Sequence, residues 1–151
     1  MVDDQRFQTF LELSEAITGF GRVRLLGTGQ AELYFATAER VVGHAIMDEL
    51  LTAFADLPTR TPELLRLHLF GNEMLGDVVR NLVKLWFGGV WYQLPAIWQQ
   101  AYGPAAEDGT FIPSPDAYVE GLMWVAIGAH PAGAKAPGFA SWAVAPQIPL
   151  S

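Results

Sequence analysis

The chain has 151 residues, of which 51% are hydrophobic and 17% charged, a balance that excludes intrinsic disorder and suits one domain with a sizeable core. Its net charge of −7 argues against nucleic acid and anionic membrane surfaces as partners, because both call for basic patches. Cysteine is absent, which excludes disulfides, thiolate metal sites and thiol catalysis, and no window approaches the ~20 uninterrupted apolar residues that span a bilayer.

Asp3 and Asp4 suit the start of a first helix, where acidic residues are favoured. Phe7, Phe10, Leu11, Ser14 and Ile17 supply its buried stripe, Glu12 and Glu15 its wet face, and Gly19 its stop. GFGRVRLLGTGQ, residues 19–30, reads as a glycine-rich loop. It is not a phosphate-binding loop, since no lysine follows and no strand precedes it. Residues 31–57 read as helix in two pieces. Tyr34, Ala38, Val41 and Ala45 share one face, whereas Ile46, Met47, Leu50, Leu51 and Phe54 share another, so a kink or break is expected near Gly43 and His44. Pro58 ends that segment, and Thr61-Pro62-Glu63 restarts a short helix running to Phe70, with Gly71-Asn72 as its stop.

EMLGDVVRNLVKLWFGGVWY, residues 73–92, is the stretch around which the rest is organised. Leu75, Val78, Val79, Leu82 and Trp86 recur at helical steps, with Glu73, Asp77, Arg80 and Lys84 on the opposite side. Gly88 and Gly89 are the first residues able to end this helix in a left-handed turn. Between Leu94 and Pro115 the prolines and Asp108-Gly109 read as turns, while Ile97, Trp98 and Tyr102 imply that part of the stretch packs. Ser114-Pro115-Asp116 opens the last helix, in which Tyr118, Leu122, Val125 and Ala126 face inward around a central Trp124. From Gly128 onward, prolines punctuate Phe139, Trp142, Val144 and Ile148 as an extended tail lying across a surface. The fold class expected is all-α: one helical domain over 1–151, an irregular bundle of about five helices with residues 137–151 as an extended proline-rich C-terminal tail.

Chemistry-bearing patterns are sparse. His44 and Asp48 lie four apart on a helix, a spacing open to two metal ligands or a small catalytic pair, but His68 and His130 are distant and HExxH is missing. No serine sits in a GxSxG elbow, and Glu12/Glu15 and Asp48/Glu49 fall on faces assigned to solvent. No catalytic, cofactor-binding or metal residue is therefore assigned to this chain. The five tryptophans follow core spacing or lie in the tail, and so many large apolar side chains on a small helical body suit a subunit that buries part of itself against a partner.

Four stretches in order, FLELSEAITGF (10–20), LWFGGVWY (85–92), AYVEGLMW (117–124) and APGFASWAVAP (136–146), resemble the small (gamma) subunit family of bacterial FAD-dependent sorbitol, fructose and glucose dehydrogenases. The resemblance runs along nearly the whole chain. It implies a non-catalytic partner that stabilises and helps mature a large FAD-bearing subunit of the GMC oxidoreductase type, in a complex oxidising a sugar, polyol or glycoside. FAD then belongs to the partner, and a cytochrome subunit often completes such complexes. Small subunits of the family usually carry a twin-arginine export signal, whereas Met1 to Arg6 shows neither twin arginine nor the apolar core of a signal peptide. The implied location is periplasmic where such a signal has been removed and cytoplasmic otherwise. The competing readings are an independent small enzyme using His44 and Asp48, and a self-associating helical scaffold. Trp91 and Tyr92, freed by the glycine turn to point outward, and Phe139 and Trp142 in the tail are the expected anchors for the flavin subunit.

Overall fold

The computed structural model describes residues 3–103 and 108–129, and these contain nine α-helices, a π-helical segment and no strand. Four long helices form the body: α1 (Asp4–Thr18), α3 (Ala31–Val42), α4 (His44–Ala55) and α6 (Leu75–Gly88). Between and after them lie α2 (Arg22–Gly27), α5 (Pro62–Leu65), α7 (Ala96–Tyr102), α8 (Pro115–Val119) and α9 (Leu122–Ala126), with the π segment Arg66–Phe70 continuing α5. The all-α expectation holds for these residues. The count differs from about five because three stretches each hold helices shorter than the sequence pattern reveals. The tail over 137–151 lies outside the described residues.

Local chemistry explains most boundaries. The Asp3 carboxylate accepts from the Gln5 backbone N–H to cap α1, and Gly19 closes it at φ 78° with its N–H on the Glu15 carbonyl. Thr61 caps α5 by accepting from the Leu64 N–H, with Pro62 at its first position. The helix break expected near Gly43 is real: Gly43 takes φ 94° and ψ 157°, and the buried face shifts from Tyr34, Ala38 and Val41 to Met47, Leu50, Leu51 and Phe54. Ala45, expected on the first face, is exposed because it lies beyond that break.

Helix α6 is the centre of the body and packs against α1, α3, α9 and the π segment. Its buried stripe holds Leu75, Val78, Val79, Leu82, Leu85 and Trp86, each large side chain stabilising the fold by about 1.5–3 kcal/mol through removal from water. Trp86 stacks near Phe10 (centroids 6.4 Å apart) and takes the edge of Tyr34 at 4.9 Å, while its indole N–H donates to Ser14 Oγ at 3.1 Å. That bond explains a fully buried serine in the α1 stripe: an unpartnered indole N–H there would forfeit its hydration. Gly89 ends α6 at φ 73°, and a Cβ placed on it would lie 2.4 Å from the Ala117 carbonyl oxygen. Only glycine lets the end of α6 meet the α8 backbone so closely.

Two sequence expectations change here. The glycine-rich stretch after Gly19 contains α2, because Arg22-Val-Arg-Leu-Leu between its glycines is long enough for a turn and a half and needs to bury only Leu25. The last helix is two helices. Gly121, extended at φ −56° and ψ 132°, separates them, and only glycine fits there, because a Cβ would lie 2.6 Å from the Phe87 carbonyl oxygen. The break rotates the faces, so Ala117 and Leu122 are buried while Tyr118, Val125 and Ala126 are exposed. In the proline-bearing stretch Trp98 is buried and donates to the Met74 carbonyl at 2.8 Å, but Ile97 is 80% exposed.

Candidate interaction surface

Helices α2, α8 and α9 are too short to bury two faces, and each buries a single residue in the core: Leu25, Ala117 and Leu122. Their remaining apolar residues face water. Of the ten exposed large hydrophobic side chains among the described residues, six (Val23, Leu26, Tyr118, Met123, Val125 and Ile127) belong to these helices or the turn after α9, so the exposure is concentrated rather than scattered.

A groove of about 520 Å³ runs between α2 and the α8–α9 unit. Val23 of α2, 87% exposed, lines it together with Leu122, Trp124 and the 44% exposed Val125 of α9. The α8–α9 wall is braced from within. Trp124 donates its indole N–H to the Tyr118 carbonyl at 2.9 Å and meets the Tyr118 ring edge-on at 5.4 Å. Arg24 also lines the groove.

The four expected anchors fare differently. Trp91 does not point outward: it is fully buried. The left-handed turn at Gly89 reverses the chain, so Trp91 pairs with Phe111 through two backbone hydrogen bonds of 2.9 Å and donates its indole N–H towards Asp108 Oδ1 at 3.4 Å. Asp108 also accepts from the Leu94 N–H and from Gln99, which locks this corner. Trp91 is thus a core residue of the body. Tyr92 does face water, at 43% exposure, with Lys84 Nζ 5.1 Å from its ring centroid. Phe139 and Trp142 lie outside the described residues. The groove itself escaped the sequence reading, although Val-Arg-Leu-Leu between glycines was its trace.

The other candidate, His44 with Asp48, belongs to an ion-pair network. His44 Nε2 lies 3.2 Å from Asp48 Oδ2 and Nδ1 lies 2.9 Å from Glu39 Oε1. Arg6 of α1 bonds both carboxylates, to Asp48 Oδ1 at 2.8 Å and to Glu39 Oε1. Its side-chain hydrogen bond to Glu39, aided by Asp48, raises the Arg6 pKa further above its ordinary value. A guanidinium among the carboxylates opposes a second cation, and among the described residues no three His, Asp or Glu side chains are grouped to hold a metal. The arrangement ties α1 to the α3–α4 joint. Nor is there, among the described residues, a helix long and apolar enough to cross a membrane.

No protein-family profile, curated protein or solved structure matches this chain.

Proposed function

We propose that this chain is the non-catalytic small subunit of an FAD-dependent dehydrogenase complex that oxidises a sugar, polyol or glycoside, where it binds, stabilises and helps mature a GMC-type flavin subunit. FAD resides on that partner, and a cytochrome subunit is a further candidate member of the complex.

One observation carries the reading. Of the four stretches that resemble the dehydrogenase small subunits, the three within the described residues pack on one another. Residues 10–20 meet residues 85–92 through Ser14 to Trp86, Phe10 against Trp86, and Phe20 against Phe87 at 6.0 Å. Residues 85–92 meet residues 117–124 where Gly89 approaches Ala117 and Gly121 approaches Phe87. Stretches that touch constrain one another's side chains, so their joint occurrence in order reflects one packed unit rather than three separate chances. The third stretch also lines the apolar groove, which supports a role in binding a partner.

Co-expression tests the proposal. An FAD oxidoreductase encoded beside this chain should become soluble and flavin-loaded only in its presence, and the pair should copurify. Dye-coupled sugar oxidation by the isolated chain, or full flavin loading of the oxidoreductase without it, would overturn the assignment.

A further inference from the structure

We infer that the groove between α2 and α9 docks an apolar segment of the flavin subunit that carries a carboxylate directed at Arg24, an inference that rests on the small-subunit reading above. Two features select this occupant. The walls are aliphatic and open, with Val23 and Val125 facing water and Trp124 held in place by Tyr118, so the groove is ready to take apolar side chains with little ordering. A volume of about 520 Å³ suits part of a chain segment or one helix face rather than a flat contact.

The second feature is charge. In this chain of net charge −7, three arginines pair with carboxylates: Arg6 with Glu39 and Asp48, Arg22 with Glu15, and Arg80 with Asp77. Arg24 is exposed beside Val23 and takes part in no ion pair or hydrogen bond among the described residues. Glu120, the carboxylate in the same lining, has an interaction of its own. A guanidinium in the lining of a largely apolar groove favours an incoming carboxylate, which it can grip through two parallel N–H···O bonds once water is displaced.

The experiment measures the affinity of the purified flavin subunit for the wild-type chain and for Val23→Asp, Arg24→Glu and the remote control Leu67→Glu, alongside the melting temperature and sedimentation of each free chain. Val23→Asp and Arg24→Glu should each weaken binding at least tenfold with unchanged melting temperature, while Leu67→Glu, exposed on another face, should bind as wild type. Rescue of Arg24→Glu by an acid-to-lysine change in the partner segment would identify the paired carboxylate. Wild-type affinity in both groove variants would overturn the inference and leave the small-subunit reading standing. A lowered melting temperature of the free Val23→Asp and Arg24→Glu chains would mean that the same chain fills the groove, and loss of self-association in them would make a second copy the occupant; either result also overturns it. A wild-type chain that fails to bind the flavin subunit removes the reading and the inference together.

Discussion

Gly19 and Gly89 both end helices in the left-handed region, yet their surroundings differ. A Cβ on Gly19 meets open space, so Gly19→Ala carries only the conformational cost, about 1–2 kcal/mol. A Cβ on Gly89 would also overlap the Ala117 carbonyl, backbone that cannot rotate away. Urea denaturation should therefore show Gly89→Ala losing clearly more stability than Gly19→Ala, and equal losses would mean that α6 and α8 are not in backbone contact. Tyr34 makes a second residue-scale case. Its hydroxyl is buried with no hydrogen-bond partner among the described residues, and burial, then the charge of Glu120, raises its pKa above the ordinary value of ~10. A raised pKa means that the folded state holds the proton more tightly. The stabilisation is thus complete below pH ~10 and is lost as pH rises towards the folded-state pKa. Tyr34→Phe should leave neutral-pH stability unchanged or slightly higher, and it should flatten the alkaline loss seen in wild type. An unaltered alkaline profile would place that loss elsewhere.

At the scale of elements, the joint between α3 and α4 shows how side chains hold what glycine permits. Gly43 turns the chain at φ 94°, and His44 just after it meets Glu39 on one side and Asp48 on the other, with Arg6 tying both carboxylates to α1. His44 is 67% exposed, so its part in this network is screened by water. His44→Ala should lower stability by ~1 kcal/mol or less and, on the small-subunit reading, leave an assembled dehydrogenase complex turning over. Full assembly without turnover in that variant would give His44 a chemical role. The same scale explains the exposed groove. Short helices such as α2 and α9 have one buried residue apiece, so their other apolar side chains are left on the surface of the described residues.

For the whole molecule, the body and the residues after it can be separated experimentally. Every long helix packs into one continuous cluster of buried side chains, which among the described residues runs from Phe7 to Leu122. Deleting residues 137–151, which include Phe139 and Trp142, should leave that body folded, with its helical circular dichroism and melting temperature preserved. On the small-subunit reading it should also lower affinity for the flavin subunit at least tenfold, about 1.4 kcal/mol. A truncated chain that binds as tightly as the full one would remove those residues from the interface.

The sequence by itself determined the elements whose signals are local. Asp3, Thr61-Pro62 and Ser114-Pro115 announce helix starts, Gly19 and Gly89 announce stops, and the three- and four-residue steps of Leu75, Val78, Val79, Leu82 and Trp86 announce a buried face. These depend on side chains a few positions apart, so they are readable in one dimension. Only the tertiary structure decided what depends on distant contacts. Ser14 is buried because Trp86, 72 positions later, needs an acceptor, and Trp91 turns inward because Phe111 and Asp108 wait to pair with it. The break in the last helix falls at a glycine because the Phe87 carbonyl occupies the space a side chain at 121 would need. The groove is of the same kind: 94 residues lie between α2 and α9, and no periodicity within either reveals that Val23 and Val125 line one groove.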